Sequence, residues 1–321
     1  MNNQPNTQPA KKKSLYTIFF DALIYLSLVI LVINLLKGDY LQFPQSIHYG
    51  FFIASLLFML SGFVMQGLTY GFVLQRFDFK VSKLDAFVAL GKNVLTKYIP
   101  GKIWIMLGPA SHINKFYGYA MDQLVFASFT SEFISIWVAL LMSVSLLIFS
   151  PISLIVKLVS FLLWLGLTLV LFTRVFHALF ERIIKVVIKR EFLIPSISFK
   201  DTFALFPFHF FYWLLYGVGF LFLCKSLGSP GYYTQIIIFP FATVLGMVAI
   251  FIPGGIGVRE GLLVLLLVYS GLSLEASTTV SVSSRIWFLI GEVLTFIVGF
   301  SLSLKKPDQK DTTPKKIKNS L

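Results

Sequence analysis

Charge is scarce in this sequence: Asp, Glu, Lys and Arg make up 13% of its 321 residues, about half the share of an ordinary soluble domain. A water-soluble globule is therefore excluded. Cysteine is scarcer still. Cys224 is the single thiol, which rules out an intrachain disulfide and any cysteine-based metal cluster. The four histidines, His48, His112, His177 and His209, are scattered, and no HExxH, GxSxG or Walker A pattern occurs. The chain thus carries no recognisable catalytic motif, is expected to use no cofactor or metal, and is not expected to drive a transport step by its own ATP hydrolysis.

Apolar residues are abundant instead. They account for 57% of the chain, with 35 Phe and a mean hydropathy of +0.83, in long unbroken runs. This pattern predicts an all-α protein that crosses a bilayer several times. The clear spans are Leu15 to Leu36, Ile47 to Leu74, Met121 to Phe149, Ile152 to Thr173, Phe203 to Cys224 and Thr278 to Leu304. The first is too long for a signal-peptide core and has no small-residue cleavage site. No polar linker divides the chain, so one membrane domain is expected over residues 15–304, between a tail at 1–14 and a basic tail at 305–321.

The charges that are present lie in blocks. Residues 1–13, 75–102, 174–200 and 304–321 hold 21 of the 27 Lys and Arg and six of the 14 acids. Basic clusters between apolar runs are the positive-inside signature, which assigns all four blocks, and both termini, to the cytoplasm. Nucleic acid is not an expected partner, because no basic face is interleaved with exposed aromatics. Within 174–200, apolar Phe176, Leu179, Phe180, Ile183, Ile184, Val187 and Ile188 recur at helical spacing opposite Arg182, Lys185 and Lys189. That reads as a helix lying on the cytoplasmic leaflet, either a connector or a binder of anionic headgroups.

Two further apolar stretches are broken. Phe87 to Gly108 is interrupted at Pro100-Gly101, and Tyr233 to Gly271 at Pro253-Gly254-Gly255. The first enters from the cytoplasm and the second from outside. Both either re-enter or, for the second, cross as separate halves, giving up to eight crossings. Oppositely oriented broken segments, one in each half, are the pattern of an inverted repeat with a site at the breaks. Proline removes an amide donor and glycine permits a sharp turn, so each break frees backbone groups at membrane depth. A helix restarting after Pro100 and Gly101 would aim its amides and dipole inward beside Lys102, an arrangement suited to phosphate. The competing reading has Lys97 and Lys102 snorkelling to headgroups with Trp104 as interface anchor.

The second break, from Pro253 through Gly257 to Gly261, carries Arg259 and Glu260. Ionisable residues inside membrane segments face a cavity or a partner. Arg285 and Glu292 share a face of the last span, and either Glu260 for Arg285 or Arg259 for Glu292 would compensate them. Glu132, beside Ser128, Ser131 and Ser135, is a further candidate, as a binder of a cationic headgroup or a proton or as a hydrogen-bonded core carboxyl. Gly67 and Gly71 form a GxxxG expected to serve close helix packing.

The runs KNVLTKYIPGKIWIMLG at 92–108, FIPGGIGVREGLLVLLL at 251–267 and SRIWFLIGE at 284–292 resemble the paired signatures of the lysylphosphatidylglycerol synthase transmembrane-domain family, also called flippase-like membrane proteins. The resemblance implies a bacterial or archaeal cytoplasmic-membrane protein that handles an aminoacylated phospholipid or a lipid-linked sugar, with a separate glycosyltransferase or synthase as partner. It marks Pro100, Gly101, Lys102, Pro253, Gly254, Gly255, Gly257, Arg259, Glu260, Arg285 and Glu292 as signature positions. With 17 residues after Leu304, a stand-alone member without the aminoacyltransferase domain of fused members is expected. Lipid translocation leads; a non-transporting component of a biosynthetic complex, and an intramembrane transferase using Glu260 or Glu292 as base, are the alternatives.

Overall fold

The computed structural model describes residues 47–98, 104–147, 153–173, 199–248 and 257–304, with isolated positions 178 and 182. The expected first span, the tips of both breaks with Pro100, Gly101, Lys102, Pro253, Gly254 and Gly255, nearly all of the amphipathic cytoplasmic segment and both tails lie outside the described residues.

Among the described residues the fold is all-α, with nine α-helices and no strand. They are α1 (Tyr49–Arg76), α2 (Lys83–Asn93), α3 (Trp104–Tyr117), α4 (Met121–Leu147), α5 (Leu154–Phe172), α6 (Phe199–Ser226), α7 (Gln235–Val248), α8 (Val258–Tyr269) and α9 (Leu274–Leu304). A 3-10 turn, Val94–Tyr98, extends α2. Five helices, α1, α4, α5, α6 and α9, are long and apolar enough to cross a membrane. They are the five expected spans that fall within the described residues. The chain is a multi-pass α-helical membrane protein, because in hydrocarbon only a helix or closed barrel satisfies its own backbone.

Among the described residues the broken stretches are pairs of helices each shorter than the hydrocarbon core. At 11 and 14 residues for α2 and α3, and 14 and 12 for α7 and α8, they span about 16–21 Å at 1.5 Å per residue, against a hydrocarbon core of about 30 Å. Their helices run beyond the apolar windows, to Lys83 and Tyr117 at the first break, since polar residues at the outer turns continue the helix into the interface. The element order is long, short, short, long twice over, with α5 between the two halves.

Hydrogen bonds fix the directions. The amide of His48 donates to Ser226 O at 3.0 Å, and Arg76 pairs with Asp201 at 3.3 Å, so α1 and α6 are antiparallel. At the Arg76 end, the Lys80 amide donates to Tyr119 Oη at 3.0 Å and the Ser82 amide to Tyr117 Oη at 3.3 Å. The segment entering α2 and the segment leaving α3 therefore meet at one end of the bundle, and the first broken pair is a hairpin. The second pair starts at the Ser226 end. Its return follows from α9, where Gly91 of α2 lies against Thr295 and Gly299, while Lys97, deeper along the chain, meets Glu292. Thus the Leu304 end of α9 lies with the Arg76 end of the bundle, and Leu274 lies with Ser226. The α7–α8 pair accordingly starts and finishes at the opposite end. Each pair thus returns to its own end of the bundle, and the two halves have inverted orientation.

Glycine sets how close the hairpins come. A Cβ on Gly67 of α1 would lie 2.9 Å from Phe87 Cα, and one on Gly71 would lie 3.3 Å from Ala86 Cβ. The GxxxG thus packs α1 directly onto α2, as the spacing predicts. On the other side of α2, a Cβ on Gly299 of α9 would lie 2.7 Å from the Lys92 amide nitrogen. Lipid-facing surface is provided by α5, whose Leu154, Ile155, Leu158 and Leu162 are exposed, and by one side of α9, with Ile286, Leu289, Val293 and Ile297 exposed.

Candidate functional site

The described inner ends of the two hairpins, Lys97 in the first and Arg259 in the second, approach the middle of α9 from opposite ends. Arg285 lies about 16 Å along α9 from Leu274, and Glu292 about 18 Å from Leu304, at 1.5 Å per residue. Phe288 lies between them.

From the first hairpin comes Lys97, at the end of the 3-10 turn. Its ammonium forms an ion pair with Glu292, whose carboxylate is fully buried. This overturns the snorkelling expectation for Lys97: the tightened turn after Asn93 directs the side chain inward, where a buried carboxylate compensates its desolvation. It also corrects one of the alternative pairings, because Glu292 is taken by Lys97 from the first hairpin and not by Arg259. Trp104, which opens α3, is 46% exposed, but it lies at the inner end of the hairpin and not at an interface, so the anchor expectation is also corrected.

From the second hairpin come Arg259 and Glu260. Gly257 has φ +85°, a left-handed value that disfavours side chains, and this lets the chain turn into α8. Its amide donates to Glu260 Oε2 at 2.8 Å. Glycine has no side chain to reciprocate, so Glu260 alone caps the helix start, where its charge also suits the dipole. Its other oxygen accepts from Arg285 Nη1 at 3.4 Å, which is the Glu260–Arg285 pairing expected from sequence. The carboxylate is thus engaged twice, as a cap and as an ion pair, which weakens its case as a general base. Ser281 Oγ donates to the Glu260 carbonyl at 3.0 Å, docking α8 onto α9.

Arg259 is 4% exposed. It donates from Nη2 to Ser284 Oγ at 3.3 Å. Its guanidinium carbon lies 4.9 Å from the Phe239 ring centroid and 5.6 Å from that of Phe288. Gly246 of α7 makes room, since a Cβ there would lie 3.0 Å from Arg259 Cβ. Lys97 Nζ lies 5.1 Å from the same Phe288 ring. One aromatic ring is therefore shared by a cation from each hairpin, within cation–π range of both. Phe63, Tyr216 and Phe239 hold that ring at centroid distances of 5.0, 5.2 and 5.5 Å.

Glu132 lies on α4 within the field of Lys97. One turn away on either side, Ser128 shares a 2.7 Å hydrogen bond with Tyr70, and Ser135 accepts one from Tyr212. His209 Nε2 lies 3.2 Å from the Ser131 carbonyl. The structure thus brings Lys97, Arg259, Glu260, Arg285, Glu292 and Glu132 to one region. Lys97, Phe288 and Phe239 are members that the sequence did not mark as site residues; Phe239, 14 residues before Pro253, and Phe288, in the last span, carry no signal until the helices are placed.

Residues 16–299 match the family model of the lysylphosphatidylglycerol synthase TM region. Comparison with curated proteins gives no significant match.

Proposed function

This chain belongs to the lysylphosphatidylglycerol synthase TM-region family, a family with a membrane-lipid role, and on that premise we propose that it moves, or helps to move, an anionic phospholipid or a lipid-linked sugar across the membrane. The lipid phosphate binds beside Phe288, between Lys97 and Arg259. Lys102 and the backbone amides freed at Gly101, Gly254 and Gly255, beside Pro100 and Pro253, are further donors. Acyl chains stay in lipid along the apolar side of α9. The unit is the domain 15–304 in a bacterial or archaeal cytoplasmic membrane, with both termini cytoplasmic, supplied by a separate glycosyltransferase or synthase.

The observation that carries this reading is the Phe288 ring with one cation from each inverted hairpin. An unpaired phosphate in hydrocarbon is prohibitively costly. Two cations and several amides near mid-helix offset that cost where a translocating headgroup meets it. Neither bond-making nor a nucleophile is needed. The test is movement of fluorescently labelled phosphatidylglycerol and of a labelled polyprenyl-phosphate sugar in proteoliposomes. Folded Lys97→Ala and Arg259→Ala proteins are expected to slow movement at least tenfold. Wild-type rates in both variants would overturn the mechanism.

A further inference from the structure

Gln66 sits near the middle of α1, and the phosphate site above leaves it without a role. An amide at that depth needs partners for one oxygen and two N–H groups. The oxygen has one: Tyr216 Oη donates to Gln66 Oε1 at 2.9 Å. Tyr216 is itself held in place. Its ring is 2% exposed and lies 5.2 Å from the ring centroids of both Phe63 and Phe288, in room that Gly62 leaves, where a Cβ would lie 2.6 Å from Tyr216 Cδ1. The phenol has one hydrogen and the amide oxygen can only accept, so this bond turns Nε2 away from Tyr216. Among the described residues no hydrogen bond satisfies Gln66 Nε2, and it is not one of the sealed polar atoms either. Its two hydrogens therefore open onto a space.

Helix geometry says which space. Leu57, Ser61 and Val64 are exposed and mark the lipid face of α1. Gln66 follows Leu57 by nine residues, about two and a half turns at 3.6 residues per turn, so it points the opposite way, into the bundle. Phe63 and Tyr70 on that inner face are 5% and 2% exposed, whereas Gln66 is only partly buried. A polar side chain that faces inward and is still accessible lines an opening between helices. The height of that opening follows from Phe63, whose ring centroid lies 5.0 Å from that of Phe288. Both α1 and α9 run toward the Arg76 end. Gln66 lies three residues beyond Phe63, and Glu292 four beyond Phe288, about 4.5 and 6 Å at 1.5 Å per residue. The amide is thus level with the Lys97–Glu292 pair, one turn to the Arg76 side of Phe288.

Resting on the phosphate site proposed above, we infer that Gln66 reads the group esterified to that phosphate, donating its two N–H groups to the hydroxyl oxygens of a polyol headgroup. The charge of a phosphate between Lys97 and Arg259 is met by those cations. Its acyl side leaves along the lipid face of α9, so the headgroup is the substituent that extends inward, to the amide. A hydroxyl oxygen accepts from an amide N–H. An alkyl headgroup offers no acceptor and leaves both donors unpaired at membrane depth. The substrate class is accordingly an anionic phosphodiester that carries a glycerol or a sugar. Tyr216 acts through Gln66, as a positioning residue.

The test is equilibrium binding to the purified full chain in detergent, with two matched pairs of probes. Dioctanoyl phosphatidylglycerol is compared with dioctanoyl phosphatidylethanol, and a short-chain polyprenyl-phosphate glucose with the corresponding polyprenyl ethyl phosphate. All four are singly charged phosphodiesters, and only the first of each pair carries headgroup hydroxyls. The wild type is expected to bind the hydroxyl-bearing member about tenfold more tightly, and the pair with the larger ratio tells glycerol from sugar. Gln66→Met keeps the length of the side chain without its donors, and is expected to bind both members of that pair equally. Tyr216→Phe keeps the ring and frees the amide, and is expected to narrow the preference about threefold. Thermal unfolding checks that each variant is folded; if Gln66→Met is not, Tyr216→Phe carries the test. Equal binding within both pairs by the wild type, or a full preference in a folded variant, would overturn the headgroup assignment and leave the phosphate site standing. Failure of the wild type to bind any of the four would overturn the phosphate site, and this inference with it.

Discussion

Single side chains at the second hairpin hold position before they hold a ligand. Glu260 both caps α8 through Gly257 and pairs with Arg285, whose side chain is 14% exposed. Removing one member of a largely buried pair costs about 3–5 kcal/mol, whereas removing both costs less. Glu260→Ala is therefore expected to lower stability by about 3 kcal/mol or more, while Arg285→Ala added to it lowers stability less than the two losses summed. Thermal unfolding of the four proteins of this double-mutant cycle measures it, and strict additivity would show that the pair does not couple. Gly257→Ala separately forces a Cβ onto a left-handed backbone, costing about 1–2 kcal/mol. The Glu260–Arg285 pair was legible in the sequence, because each residue is an ionisable group within an apolar run and opposite charges at such sites seek one another. The partner of Glu292 was less legible. Arg259 and Lys97 are equally plausible from charge alone, and the inward turn of Val94–Tyr98 decides between them.

Elements are positioned by absent side chains as much as by present ones. The α2–α9 crossing is set by Gly299, where a Cβ would lie 2.7 Å from the Lys92 nitrogen and 2.9 Å from the Gly91 carbonyl carbon. Both neighbours are backbone and cannot swing aside. The same crossing carries the Lys97–Glu292 pair two turns deeper, so Gly299→Val is expected to cost about 1–3 kcal/mol in overpacking and to displace the pair. Labelled-lipid movement should fall at least tenfold in this variant although the site residues are unchanged. Gly166→Ala is the control: Gly166 sits in α5 with nothing within 4 Å of its would-be Cβ, and wild-type transport and equal or higher stability are expected. If Gly299→Val moved lipid at the wild-type rate, the close crossing would not be what aligns the site. The helices themselves were legible from hydropathy, and the described spans lie within a few residues of the apolar runs. Their ends were not, because capping turns such as Ser82 accepting from the Asp85 amide extend a helix past its apolar window. The role of Gly299 has no sequence signal either, since a glycine's importance lies in what approaches it.

At the scale of the molecule, the sequence pattern of one broken segment per half becomes two hairpins inserted from opposite ends against a common helix. Proline and glycine at membrane depth made the breaks legible, and the basic blocks suggested that the halves are inverted. How each pair closes on itself was not legible, since it depends on contacts such as the Lys80 amide with Tyr119 that are 39 residues apart. Inversion has a consequence that can be measured without knowing the lipid. The turn at Lys80 and the Tyr119 segment share one end of the bundle, whereas Lys225 and Tyr233 lie at the other, with Ser226. Cys224 is the single thiol and is buried, so a Cys224→Ala protein gives a silent background. Single cysteines at positions 80 and 119 are then expected to react with a membrane-impermeant thiol reagent from one side of the membrane only, and those at 225 and 233 from the other only. The positive-inside distribution assigns the first pair to the cytoplasm. In intact cells the reagent should therefore reach positions 225 and 233, and should reach 80 and 119 only after permeabilisation. Labelling of all four from one side would mean that the hairpins enter together and that the two cations at Phe288 do not arrive from opposite leaflets, leaving the site no path between them.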